Sequence, residues 1–113
     1  MSTIQETVVN ALTVAGVAGG RIYPLVCPNG VLSPNIIYQV VSREPQNTLN
    51  NGSPITNTRL QFDVWDITYS GAQSTANSLI SVLDAIGTHI ESSDGYDVDL
   101  NEYRVSVIFS FWS

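Results

Sequence analysis

The sequence predicts an α+β domain: a mainly antiparallel sheet with two helices packed on one face, in the order α-β-β-β-α-β. Three observations carry that prediction. Leu60, Phe62 and Val64 alternate with Arg59, Gln61 and Asp63, the period of two that marks a strand with one buried face. Ala72, Ala76, Leu79, Ile80, Leu83 and Ile86 then recur at helical spacing, so a strand at 59–69 feeds directly into an amphipathic helix. Near the end, Tyr103, Val105, Val107, Phe109 and Phe111 alternate with Arg104, Ser106, Ile108, Ser110 and Trp112, a half-exposed antiparallel strand from about Leu100 to Trp112. At 113 residues the chain is one domain, 1–113, large enough to bury a single core.

The remaining elements follow in order. Thr3 with Glu6, or Ser2 with Gln5, forms a capping box that opens a helix running to about Gly16. Ile4, Val8, Leu12 and Ala15 lie on its inner face, with Val9 and Ala11 flanking. The glycine-rich stretch 16–20 ends it, and Arg21-Ile22-Tyr23-Pro24 is a short extended piece, since a residue before proline is pushed out of the α region. Pro28-Asn29-Gly30 is a turn. Pro34 opens a strand over 35–43 in which Ile36, Tyr38 and Val40 share one face and Ile37 and Val41 the other, as in a central or covered strand. Residues 44–58 are polar, and Asn51-Gly52 signals a two-residue hairpin. A strict two-residue turn there would set Val40 opposite Asp63, a core face against a wet one. The alternatives are an odd-length loop or a bulge, and the preferred reading is a projecting loop of about a dozen residues. Ser70 with Gln73 is the capping box of the second helix, Gly87 its left-handed terminator, and 89–99 a polar acidic connector.

Charge narrows the function. Ten acidic groups face four arginines and no lysine, a net charge of −6. Nucleic-acid binders need clustered cations to displace counterions from phosphates, so sequence reading or DNA wrapping is excluded. An acidic surface does suit DNA that must slide past without sticking. Cys27 is the single cysteine, which rules out an internal disulfide and points to a reducing compartment. Neither a signal peptide nor an apolar run of about 20 residues is expected.

A search for chemistry ends without a catalytic constellation. Cys27 and His89 are the only thiol and imidazole; Cys27 sits in a loop with no helix N-terminus after it, and His89 lies just past a helix end. The acidic run Asp94, Asp97, Asp99 and Glu102 fails the calcium-loop pattern, because counting from Asp97 places Glu102 where glycine belongs and Ile108 where glutamate belongs. Asp63 and Asp66 point to opposite faces of their strand and cannot pair as acid and base. The glycine stretch at 16–20 is not followed by Gly-Lys-Ser/Thr, so it is no phosphate loop. What remains are Trp65, Ile67 and Tyr69 on the outward strand face and Trp112 on the outer face of the last strand. Such groups are enriched where molecules meet, unless a helix of the same subunit covers them.

Gly19-Gly20-Arg21-Ile22-Tyr23-Pro24, then Pro34-x-Ile36-Ile37-Tyr38-x-Val40-Val41-Ser42, then Arg59-Leu60-Gln61-Phe62-Asp63-Val64-Trp65 entering an alanine-bearing helix, resemble in order and spacing the tail-completion (tail-terminator) proteins of long-tailed, siphovirus-type bacteriophages and prophages. The resemblance spans nearly the whole chain, though its single motifs are weakly specific. It implies a small α+β fold and a structural, non-enzymatic virion protein without cofactor or metal. It implies a homo-oligomeric, six-fold ring at the head-proximal end of the tail tube, assembled in the bacterial cytoplasm, that stops tube growth and joins head to tail. The implied partners are the tail tube protein and the head connector or neck protein, with DNA passing through the bore unbound and no membrane. The interface residues expected on the reading of exposed groups are Arg59, Asp63, Trp65, Ile67 and Trp112, with the loop residues Asn47, Thr48, Leu49, Asn50 and Asn51. The alternatives are a neck protein on the head side of the same joint, or a monomeric α+β binding or enzymatic domain using Cys27 and His89.

Overall fold

The computed structural model describes residues 4–25, 34–47, 54–99 and 101–112. Along the chain come α1 (Ile4–Ala15), β1 (Ile22–Pro24), β2 (Asn35–Asn47), β3 (Pro54–Asp66), α2 (Tyr69–Leu83), β4 (Thr88–Asp97) and β5 (Glu102–Trp112). The expected α-β-β-β-α-β order is present, with one further strand before the last. The strands form one sheet in the order β1-β2-β3-β5-β4, antiparallel except where β1 meets β2.

Alternation dictates the core. Leu60, Phe62 and Val64 of β3 stand opposite Phe109, Val107 and Val105 of β5, and all six are buried on one side of the sheet. Ala72, Ala76, Leu79 and Leu83 of α2 close over them, and Val8 and Leu12 of α1 join the same cluster. Each large apolar side chain so buried stabilises by roughly 1.5–3 kcal/mol. Two expected members are absent from the core: Ala15 is exposed, and Ile86 is 43% exposed. α2 stops at Leu83, whose carbonyl takes the N–H groups of Ile86 and Gly87 at 3.0 and 2.8 Å, so Ile86 has left the helical stripe.

The ends of α2 differ from the sequence reading. Thr68, not Ser70, is the N-cap: its extended backbone points the hydroxyl at Gly71 N–H, 3.1 Å away. Gln73 turns instead to Asp94, donating to Oδ1 at 2.9 Å. Gly87 is not left-handed. A Cβ there would fall 2.5 Å from the Phe111 ring and 3.0 Å from the Ser110 carbonyl, so glycine permits close approach to β5. Leu25 and Asn101 are left-handed too, but the main left-handed run lies before them, at Gly16, Ala18, Gly19 and Gly20, where the chain reverses from α1 into β1. Ala18 is the one of that run with a Cβ, and holding it there costs about 1 kcal/mol.

The parity conflict between β2 and β3 is resolved by a bulge. Val40 pairs with Leu60 and Ser42 with Arg59, leaving Val41 as the extra residue. Pairing then continues to Asn47 opposite Pro54, which corrects the loop expected over 44–58 to a long hairpin arm. Its polar residues pair through backbone and show no apolar alternation; Thr58 is nonetheless buried, opposite Phe111. Asn51 and Gly52 lie outside the described residues, as do Thr3, Cys27 and the 28–30 turn. The arm runs past the last β5 pair, Asn57 with Trp112, and the molecule measures 51 × 24 × 24 Å.

The connector expected at 89–99 is likewise a strand. β4 runs along β5 from Thr88 opposite Ser110 to Asp97 opposite Glu102, with Ile90 bulged out between His89 and Glu91. It buries neither face, so the sequence carries no alternation there. Its anchors are local. His89, which lies in this strand rather than at the helix end, stacks on Phe109 at 5.3 Å. Tyr103 contacts Tyr96 edge-on at 4.8 Å and Tyr69 at 5.7 Å. Tyr69, the first residue of α2 rather than part of β3, donates its hydroxyl to Asp94 Oδ2 at 2.7 Å.

Gly87→Ala should lower stability by about 1–3 kcal/mol through overpacking, and Thr68→Ala by about 1 kcal/mol through loss of the cap. In urea titrations the double variant should be additive to within about 0.5 kcal/mol, because the two sites lie at opposite ends of α2. The hydrogen bond to Asp94, then its negative charge, raise the Tyr69 phenol above 10.0. A folded-state pKa above the unfolded value means the contribution is complete below the unfolded pKa and is lost as pH rises through the folded one. The stability difference between the parent chain and Tyr69→Phe should therefore be level near neutrality and vanish above about pH 10. A difference that grows with alkalinity would refute the assignment.

Candidate interaction surface

The side of the sheet away from α1 and α2 carries no helix among the described residues. Register defines its rows. Ile37, Asp63, Ser106 and Ser93 lie in one, Gln39, Gln61, Ile108 and Glu91 in the next, and Asn35, Trp65, Arg104 and Gly95 on the other side of the first. No helix of the same subunit covers the tryptophans, so the intramolecular explanation for them falls among the described residues.

The middle of this face is internally satisfied. Asp63 Oδ1 accepts from Gln61 Nε2 of the same strand at 3.0 Å and from Ser106 Oγ at 2.7 Å, and the second of these charge-assisted bonds holds β3 to β5. Asn57 Nδ2 donates to Ser110 Oγ at 2.6 Å. Asp66, as expected, faces the other way, where its Oδ1 takes the Ile67 N–H at 2.6 Å beside Gly71. Asp63 is thus a bracing residue of the sheet.

The expected aromatic patch divides into two. Trp112 stands opposite Asn57 and Trp65 opposite Arg104. These rows are eight residues apart along β3, roughly 27 Å at a strand's rise. At the arm end, Trp112 is 56% exposed, with exposed Arg59 two pairs away on the same face. At the other end Ile67 is 66% exposed just beyond β3, while Trp65 is half-buried beneath Arg104, whose guanidinium carbon lies 5.9 Å from the ring centroid. Gly95 leaves room for that guanidinium over β4: a Cβ there would sit 3.1 Å from it. Trp65 Nε1 and Arg104 Nε are occluded with no acceptor from the described residues. Asn47 lies in the arm; Thr48, Leu49, Asn50 and Asn51 lie outside the described residues.

Sequence reasoning missed Arg104 as the lid on Trp65 and β4 as an edge. The signal for the first was there, since Arg104 alternates onto the outer face of β5. For β4 there was none.

Among the described residues, no three His, Cys, Asp or Glu side chains converge as metal ligands, and no helix is long and apolar enough to cross a membrane. No protein-family model matches the chain, and no curated protein does. Among solved structures, a chain from the virion of a native gene transfer agent particle is similar in fold. The TM-score is 0.62 at 13% identity, over 93% of this chain and 90% of that one. At that identity the likeness is one of fold.

Proposed function

We propose that this chain is a structural subunit of a phage-type virion that forms a six-fold ring at the head-proximal end of a tail tube. There it ends tube growth and gives the head its docking surface. The observation that carries the virion reading is the likeness in fold, over nearly the full length of both chains, to a component of a gene transfer agent virion. Three features support a ring. Among the described residues, helices cover one side of the sheet and not the other. Its two edges differ, as a head-to-tail assembly requires. Trp112, Ile67 and Arg59 are exposed at the two ends of the bare face. In this reading Trp112, Arg59 and the arm with Asn47 contact the tube protein or connector, while Trp65 and Ile67 serve the opposite end. A net charge of −6 without lysine suits a bore that DNA crosses unbound.

Electron microscopy of particles from a strain lacking this gene should show filled heads beside headless tails of abnormal length. Headless tails of normal length would move the role to the neck, and normal infectious particles would overturn the assembly reading and return attention to Cys27 and His89. Trp112→Ala should keep stability within about 0.5 kcal/mol, as surface substitutions do, yet reproduce the deletion phenotype. Full tail assembly by that variant would remove Trp112 from the interface.

A further inference from the structure

The sheet has two unpaired edges of different chemistry. Among the described residues, nothing pairs with the outer side of β4, or with that of β2 past Tyr38. β1 occupies β2 only at residues 36–38, where Leu25 N–H closes on the Tyr38 carbonyl at 2.9 Å. Among the described residues, 39–47 of β2 face no strand on that side, as with the ten residues of β4, although Pro45 removes one N–H donor from the β2 edge. Unpaired edges this long invite another strand unless something blocks them.

A symmetric junction of β4 with β4 is disfavoured by charge. Glu91, Asp94 and Asp97 lie on it with no Lys or Arg, so two such edges would set carboxylates against carboxylates. The open part of β2 carries Arg43, which is exposed. It borders a groove of about 610 Å³ on the helix side of the sheet, formed by Leu25, Tyr38 and Val40 with Glu6. β4 presents two groups on that same side: Asp94, whose carboxylate also accepts from Tyr69 and Gln73, and Tyr96, which is 50% exposed with its ring against Tyr103 and its hydroxyl on Asn101.

We propose that the β4 edge of one copy pairs antiparallel with residues 39–47 of β2 in the next, Asp94 opposite Arg43 and Tyr96 entering the groove beside Val40. This rests on the ring reading above and names the junction that would build the ring. Strand direction agrees, since three antiparallel steps separate β2 from β4. So does geometry. Within one subunit Asp94 is level with Ile36, through Val105 and Val64. Meeting Arg43 instead shifts the neighbour by about six rows once the Val41 bulge is discounted, roughly 20 Å at a strand's rise. The shift accrues over four strand spacings, roughly 19 Å, which tilts the strands by about 45°, the upper end of what closed barrels use. β1 sets this stagger, because it blocks the level register.

In this register Ser93 and Glu44 are opposite one another, and both are exposed on the bare face. In a Cys27→Ser background, Ser93→Cys and Glu44→Cys should each stay unlinked alone on oxidation of the concentrated protein. Mixed together they should give a linked dimer, and the double variant a ladder that ends at a closed ring. Arg43→Glu should shift assembly at least tenfold toward monomer on a sizing column with mass detection. Linked dimers from Ser93→Cys alone would mean that β4 pairs with itself and would overturn the proposal. Assembly without cross-linking, or a chain that stays monomeric at millimolar concentration, would also overturn it. The assay contains no tails, so a failed junction leaves the deletion phenotype standing, and a failed virion role leaves the cross-link standing.

Discussion

The pairing of β3 with β5 beneath α2 is the constraint on which the rest of the molecule depends. It aligns Leu60, Phe62 and Val64 with Phe109, Val107 and Val105, so the two central strands offer one continuous apolar strip. α2 covers that strip, with α1 packed beside it. The alanines of α2 let the helix lie close, and Gly87 lets the chain leave it across Phe111 without a clash. A slip of one residue would turn every one of these side chains to solvent. The polar face of the same pair is locked too, since Asp63 and Ser106 join the two strands across it. One register therefore fixes both sides of the sheet.

Away from this centre, stability comes from different sources at the two edges. β2 is held by its long pairing with β3, and the bulge at Val41 keeps Val40, itself 38% exposed, on the helix side of the sheet while the arm changes parity beyond it. β4 buries almost nothing. It is secured by pairing with β5, by the tyrosine contacts around Tyr103, and by the Tyr69 and Gln73 bonds to Asp94. An edge strand fastened by polar contacts at the N-terminus of α2 can accept a neighbour on its other side without disturbing the core.

What could be read from the sequence followed burial. The half-buried strands at 59–66 and 102–112 and both helices were legible because water on one side and core on the other write a period into the chain. The bulge was legible as one of two ways out of a parity conflict. β4 was not, because a strand exposed on both faces writes no period, and its Ser, Asp and Gly residues read as a loop. The arm was misread for the same reason. Among interface candidates, exposure of Trp112 and Ile67 followed from alternation and position. The separation of Trp112 from Trp65 did not, because shared orientation on a sheet does not imply proximity along it.

That separation bears on what the bare face can do. An apolar patch large enough to dock a partner face-on would need its aromatics together at the centre. Here the centre holds the Asp63, Gln61 and Ser106 bonds, already satisfied within the chain, while exposed apolar groups lie at the ends. A face built this way gives little reason for another protein layer to cover it. It does suit a surface that borders solvent, or a polymer passing by, while partners attach at the ends and along the edges. In the proposed ring the acidic balance of the chain would favour the same division, since net negative charge repels a passing polyanion and leaves edge contacts to hydrogen bonds and a few placed ion pairs. Helices on one side, a wet and braced sheet on the other, and dissimilar edges are what the proposed ring would ask of a subunit that meets its own kind sideways and other proteins end-on.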